Sequence, residues 1–455
     1  MSVPTQLKYN NKSNSAYARS YTSNIMPQQA GGYTAGTTIN IHIPCTNNTV
    51  LAGTESMLKF TLTVNNGGAV STSARFGAAG AHGVIQRLRL WHGSNLIEDL
   101  DNYGNLVARM MAMQQSGDSA SGKMNILCGT SSSYYAGTSV RKMVAGERLN
   151  GVADWPIYAV GPPVAGSYTQ TFCLNLMSIV GSLSSKYIPL YAMSQSGIPL
   201  RLEIQLVSAT NLFVNSVVAL GAFSLTNVEY IAQYIELGAD AMNTVTSFSG
   251  PQTQFSVTGY RNFAFVSTLA GAAATQVNFA VPAKFASLKS LFLTTRSRHM
   301  GAATFHAMGS NLFSLESYNV RIGSRVVPAQ APRSVVEFFV EALKALGSPA
   351  DLNQCCWCDR DVYAQSVPVA NIEVANLASV TGVEGQFLVG LDCESYSGAS
   401  SDAIYQGLNT STEDVYWILN YPAAPGAADI VVRFDTYAMF DQLIVIQDGL
   451  MMAQY

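Results

Sequence analysis

The residues best equipped for chemistry are Cys355-Cys356-Trp357-Cys358, with Cys393 further along. Thiolates so placed can bind zinc, but a zinc site needs four ligands; a second C-x-x-C set is missing and no histidine lies beyond His306. Buried, reduced thiols in a loop are the competing reading, with disulfides among Cys355, Cys356 and Cys358 left open. The histidines His42, His82, His92, His299 and His306 are scattered, and His42 and His92 sit in or beside strand patterns, where a structural role suffices. No H-E-x-x-H, P-loop or G-x-S-x-G elbow occurs; Gly117 to Gly122 only approximates the last of these. Glu98, Asp99 and Asp101 are the densest carboxylate group. They could hold a cation, but Asp101 or Asn102 also fits a helix N-cap, with the other carboxylates favouring the positive helix end. Arg296, Arg298 and His299 make a small basic cluster, read as a solvated or intersubunit patch rather than a phosphate site. Tyr134, Tyr135, Tyr158, Tyr168 and Tyr187 suit either a recognition surface or packing between neighbouring loops. Sequons stand at Asn11, Asn47 and Asn409, without a signal peptide that would make glycosylation expected. No residue is assigned a catalytic, cofactor-binding or metal-binding role, and no cofactor is expected.

The elements around these residues are more informative. Leu315 to Gly347 reads as strand, Gly-Ser turn, strand and helix. Ser334 and Glu337 have capping-box spacing, Val336, Phe339, Val340, Leu343 and Leu346 form an apolar stripe, and Gly347 with Pro349 ends the helix. An earlier copy runs from Leu88 to Met113, where Gly93-Ser94 matches Gly323-Ser324 and a helix carrying Leu106, Val107, Met110 and Met111 follows. Two further matches keep the order. Thr37–Pro44 corresponds to Ala274–Pro282, and Leu58-Lys59 opens a strand as Leu288-Lys289 does, at offsets of 230 to 238 residues. The chain is thus expected to hold two copies of one β-rich domain.

Between these markers, strands follow from period-2 alternation, clearest at Ile198 to Leu206. Each half is expected to carry about eight strands, one helix and one long loop, at 114–168 and at 348–383. The expected fold is all-β: two tandem eight-stranded jelly-roll barrels, each with an inserted helix and long loops. The expected boundaries are an N-terminal arm at 1–35, a first jelly roll at 36–237 and a linker at 238–252 with a short helix around Ala239 to Thr244. A second jelly roll at 253–448 and a tail at 449–455 complete the chain. Closed barrels would leave no strand edge free, and Pro44 and Pro282 would end pairing at the same corner of each.

Composition narrows the function. Only 12% of the 455 residues are charged, against about 25% in an ordinary soluble domain. A subunit whose surface is covered by copies of itself needs few charges to stay soluble. A net charge of −3 argues against nucleic acid as the main partner, although Lys8, Lys12 and Arg19 make the arm mildly basic. No secretory segment or membrane span is apparent, and seven cysteines suit a reducing cytosol better than a disulfide scaffold.

The repeated order of strand, Leu-Lys strand, Gly-Ser hairpin, helix and long loop resembles the double-jelly-roll major capsid proteins of the tectivirus, adenovirus and large DNA virus lineage. Val84 to Leu106, Asn227 to Leu237 and Val281 to Arg296 look most like Polinton-like viruses. The resemblance implies a viral structural protein of the virion. It would form a homotrimer whose six barrels give a pseudo-hexagonal capsomer tiling an icosahedral capsid. Lateral contacts with other capsomers, penton and minor capsid proteins, and an internal membrane or genome met through the arm would follow, with synthesis in the host cytosol. A carbohydrate-binding or adhesive β-sandwich is the alternative; it would carry an aromatic cluster in both copies, yet Trp91 meets Ile322 rather than a second tryptophan. A cupin-like enzyme would need paired histidines on adjacent strands, which are missing.

Overall fold

The computed structural model describes residues 17–29, 31–66, 75–76, 79–116, 119, 122–129, 166–208, 212–214, 223–249, 252–297, 309–347, 356, 358, 360–364, 385–394, 406–423 and 429–455. The first half contributes strands β1 (Ala18–Ile25), β2 (Thr38–Ile43), β3 (Met57–Asn66), β4 (Ile85–His92), β5 (Asn95–Asp101), β6 (Gly166–Leu174), β7 (Leu200–Leu206) and β8 (Phe223–Leu237). They form two antiparallel sheets, ordered β1-β8-β3-β6 and β2-β7-β4-β5. The second half repeats the arrangement with β9 (Thr253–Leu269), β10 (Thr275–Val281), β11 (Leu288–Ser297), β12 (Ser317–Ile322), β13 (Arg325–Val327), β14 (Val389–Asp392), β15 (Val415–Tyr421) and β16 (Ile430–Gln447). Its sheets run β9-β16-β11-β14 and β10-β15-β12-β13. First strand beside last, third beside eighth and second beside seventh is jelly-roll order, and both halves have it.

Alternation makes each sheet one-sided. In β7, Leu200, Leu202, Ile204 and Leu206 are buried while Arg201, Glu203 and Gln205 face outwards. Leu202 lies opposite Ile41 on one neighbour and Leu90 on the other, so one register aligns apolar residues of three strands. In the second half, Val415, Trp417, Leu419 and Tyr421 of β15 turn inwards in the same way. The two hairpins that carried the repeat are equivalent in space: Gly93 joins β4 to β5 at φ +61° and Gly323 joins β12 to β13 at φ +57°. A side chain at either position would be strained in this left-handed conformation.

Several expectations need correction. Residues 18–25, expected within the arm, form β1, paired with β8 from Ala18↔Leu237 to Ile25↔Tyr230. Residues 450–454, expected as tail, form a last strand, β17 (Leu450–Gln454), which folds back on β16 through the turn at Asp448 and Gly449. Barrel closure does not remove the edges, because each jelly roll is two facing sheets with β1, β6, β9 and β14 among their edge strands. The expected loops at 114–168 and 348–383 lie largely outside the described residues. Between the halves stands helix α2 (Ala239–Ser249), longer than the expected turn of helix; helix α1 (Tyr103–Gln114) and helix α3 (Val335–Leu346) follow the two hairpins.

Helix α3 has its capping box: Ser334 Oγ accepts from Glu337 N at 3.2 Å, and Glu337 Oε2 accepts from Ser334 N at 3.1 Å. Its apolar stripe is rotated from the expected one. Phe338, Ala342 and Ala345 are buried, whereas Val336 is 62% exposed. The cause is close approach. A Cβ on Gly390 of β14 would stand 2.7 Å from Ala345 Cβ and 3.0 Å from Ala342 Cα, and Ser290 Oγ donates to Ala345 O at 2.9 Å. Small residues let the helix backbone touch the sheet, and larger apolar ones flank it. Gly390→Ala is therefore expected to lower stability by about 1–3 kcal/mol through overpacking, measured as a shift in urea midpoint at constant slope.

Candidate functional site

The feature with the most committed polar chemistry is the seam between the two barrels. Its first wall is built from β5 and α1, its second from β9, β16 and β17. Asn102 occupies the expected N-cap position of α1, its carbonyl accepting from Asn105 N at 3.1 Å, but at φ +50° its side chain makes no capping hydrogen bond. Its side chain crosses the seam instead. Asn102 Oδ1 accepts from Arg296 at 2.9 Å and from Gln86 at 2.8 Å, while Nδ2 donates to Asp435 at 3.1 Å and Asn262 at 3.3 Å. The Tyr437 hydroxyl donates to Asn102 O at 3.1 Å. The left-handed turn lets one asparagine spend both ends of its amide on partners outside the helix, while its carbonyl serves Tyr437 as well as the first helical turn.

Asp435 is the charge at the centre. It is 0% exposed, with Arg296 (4% exposed) at 2.7 Å and Arg433 at 3.0 Å. The Arg296 contact is a charge contact, its Nε–H lying off the line to the oxygen. Burial, with Asp435 second, raises the Tyr437 hydroxyl well above its ordinary pKa, so it stays a donor. Arg296 is thus neither solvated nor part of an exposed basic patch, and Arg298 and His299 lie outside the described residues.

Further contacts stitch the same wall. Arg109 donates to Gly385 O at 2.8 Å and Gln442 to Ile97 O at 2.7 Å. Cys356 Sγ donates to Ala112 O at 3.2 Å. Helix α1 is consequently buried all round, Asn105 and Arg109 included, where the sequence suggested one apolar face. At the C-terminal end of the seam, His92 Nδ1 accepts from Met451 N at 3.0 Å, His92 Nε2 lies 3.1 Å from Ile198 O, and Asn95 Nδ2 donates to Met451 O at 3.0 Å. Buried apolar side chains of both barrels form one contiguous cluster, so the seam is continuous with the core.

The other residues singled out by sequence are dispersed. Glu98 faces the first barrel's own loop, accepting from Ser178 Oγ and, at 3.1 Å, from Ile179 N. Desolvation pushes its carboxyl up to about 7, the two hydrogen bonds opposing. Asp99 pairs with Arg87 at 2.6 Å, and Asp101 accepts from Gln86 at 3.2 Å, so the three carboxylates diverge rather than converge on a cation. His82 is buried against the Tyr103 hydroxyl at 3.2 Å, and burial lowers it to about 4. His42 meets Gln28 at 3.0 Å; His306, Cys355, Tyr134, Tyr135, Tyr158 and Asn11 fall outside the described residues. Burial raises the Cys393 thiol to about 12. Tyr187 is exposed, and Asn409 accepts from Ser411 N at 3.0 Å. Among the described residues no group of three His, Cys, Asp or Glu side chains could hold a metal ion. A cleft of about 460 Å³ opens at the seam between Met110, Met177, Ser184, Ser256, Thr258 and Tyr260, without a nucleophile–base pair in its wall.

Comparison of the sequence with protein-family models and with curated proteins finds no match. Solved structures do match. The chain is similar to the PBCV-1 protein VP54, as fitted into a reconstruction of the virophage Sputnik, with TM-score 0.61 at 11% identity, covering 99% of this chain and 100% of the other. It is similar to the mavirus major capsid protein with TM-score 0.54 at 11% identity, covering 100% and 96%. It is also similar to the Faustovirus major capsid protein with TM-score 0.54 at 9% identity, covering 97% and 92%. At such identities the likeness is one of fold, and that fold is the double jelly roll of viral major capsid proteins.

Two predictions follow from the seam and its surroundings. Asp435→Ala leaves Arg296 buried without its counter-charge and is expected to cost about 3–5 kcal/mol, whereas Arg296→Met with Asp435→Leu recovers most of the loss. Urea unfolding followed by tryptophan fluorescence checks both. For Glu98, the folded carboxyl holds its proton to about 7 and the unfolded one only to 4.5, so its contribution is present at low pH and lost as pH rises through that window. Glu98→Gln is expected to flatten the fall in urea midpoint between pH 5 and pH 7 relative to the parent.

Proposed function

We propose that this chain is the major capsid protein of an icosahedral DNA virus, a structural subunit rather than a catalyst. The carrying observation is end-to-end correspondence. The match spans 99% of this chain and 100% of the VP54 chain, so both jelly rolls have their counterparts there. The seam supports the reading, because a shell subunit must act as one block, and the paired Asn102, Arg296 and Asp435 tie the barrels together. Outward residues such as Gln276, Asn278 and Ala280 on β10 are neutral, so a neighbouring copy can approach without stripping water from charges.

In this reading three chains associate into a capsomer with six barrels. The jelly rolls comprise roughly 36–237 and 253–448, extended by β1 and β17, and 238–252 links them. The residues before β1 form the arm that meets the genome or an internal membrane, and capsomers contact penton and minor capsid proteins in the virion after synthesis in the host cytosol. Native mass measurement of the purified chain is expected to give about three times 48.6 kDa, with hexagonal particles in negative stain. A stable monomer that never assembles would overturn the reading.

A further inference from the structure

We propose that His92 is an acid-operated catch that holds the C-terminal strand of the second barrel against the first. The geometry commits both ring nitrogens. Met451 donates its backbone N–H to Nδ1 at 3.0 Å, so Nδ1 must carry a lone pair. The other nitrogen, Nε2, is 3.1 Å from the Ile198 carbonyl, an acceptor only, so Nε2 must carry the proton. The neutral Nε2–H tautomer satisfies both partners. Protonation places a second N–H on Nδ1, aimed at the N–H of Met451, and the catch loses its acceptor.

What the catch holds is a strand of the second barrel whose outer edge rests on the first. β17 pairs with β16 on one side, and its other side is held by His92 and by Asn95, which donates to Met451 O at 3.0 Å. Met451 is fully buried. At the adjoining turn, a Cβ on Gly449 would lie 2.8 Å from Ser196 N, so this turn too rests on the first barrel. Release of β17 therefore uncovers apolar surface and loosens the seam at one end, while the Asp435 network persists at the other.

Among the described residues, nothing beside His92 compensates a positive charge. Asn95 on β5, Ile198 before β7 and Met451 on β17 present only neutral groups. Arg201 and Glu203 belong to the outward face of β7, where Arg201 lies over the Trp91 ring, and Asp448 sits in the β16–β17 turn. Among the described residues His92 has no ionic partner. Burial lowers its pKa first, with the Ile198 carbonyl opposing. The closed catch thus favours the neutral ring, and the open form titrates as an ordinary histidine near 6.5. Below that pH the open form binds the extra proton, so opening grows up to tenfold per pH unit until the closed form titrates too. Glu98 acts with the opposite sign, so overall stability against pH does not isolate the catch and a local measurement does.

The experiment is hydrogen–deuterium exchange of the full chain from pH 7.5 to 5.0, read by mass spectrometry on peptides covering 450–455 and corrected for the intrinsic pH dependence of exchange. The expected result is an opening constant for the β17 amides that is flat above about pH 6.5 and rises up to tenfold per unit below it. In His92→Gln, which cannot charge, the slope vanishes. Asn95→Ala, which weakens the hold without removing the titrating group, raises the baseline and keeps the slope. A flat profile in the parent, or an unchanged slope in His92→Gln, would overturn the proposal. If His92→Gln does not fold, the parent and Asn95→Ala profiles, with an NMR titration of the His92 ring, still decide. The outcome is independent of whether the chain forms capsomers.

Discussion

A carboxylate removed from water must find its counter-charge where it lies, and Asp435 imposes that condition on the centre of this molecule. It brings Arg296 of β11 and Arg433 of β16 together on the face of the second barrel that meets the first, then reaches the first barrel through the Asn102 amide. Hydrophobic burial alone would let two sandwiches slide on one another, because apolar contact has no preferred direction. Fixed hydrogen-bond lengths do not permit sliding. The contribution of this network is thus as much to a single relative placement of the barrels as to stability.

The placement reshapes local structure around it. Asn102 adopts a left-handed conformation that leaves the first turn of α1 without a side-chain cap. The helix tolerates this because it is packed on all sides, its own Tyr103 and Leu106 fully buried in the first turn. Tertiary burial, rather than local capping, supports α1. Helix α3, on the outside of the second barrel, relies on the reverse: its capping box is complete and Val336 remains exposed.

The duplication, the strand alternation and the two Gly-Ser hairpins were legible because they are local and periodic. Leu200 to Leu206 could face a core in only one way. β1 was not legible: Ala-Arg-Ser-Tyr-Thr-Ser-Asn-Ile turns only two apolar side chains, Tyr21 and Ile25, towards the core and is an edge strand paired to β8 alone, so its weak alternation does not separate it from an arm. β17 was missed although Asp448-Gly449 is a strong hairpin signal, because a strand of five residues at a terminus looks like a frayed end. The seam could not be read at all. Asn102, Arg296 and Asp435 are far apart in the chain, and the local signal at Asn102, a polar residue before a helix, points to a cap. For α3, the stripe of large apolar residues concealed that Ala342 and Ala345 make the closest approach.

The seam also breaks the equivalence of the two copies in an informative way. It joins different surfaces: hairpin strand and helix of the first barrel against first and last strands of the second. Such a contact between like units is heterologous, and it leaves the complementary surfaces of the pair outside the seam. These are α3 with β13 on the second barrel, and β1 with β8 on the first. Charge distribution agrees with that asymmetry. The covered helix, α1, carries its only charge on Arg109, turned into the seam, whereas α3 keeps Glu337, Glu341 and Lys344 on its surface. A head-to-tail contact does not terminate by itself; it continues until a rotation closes the ring. One polypeptide with two barrels joined in this manner would supply the first step of the ring that the proposed capsomer requires.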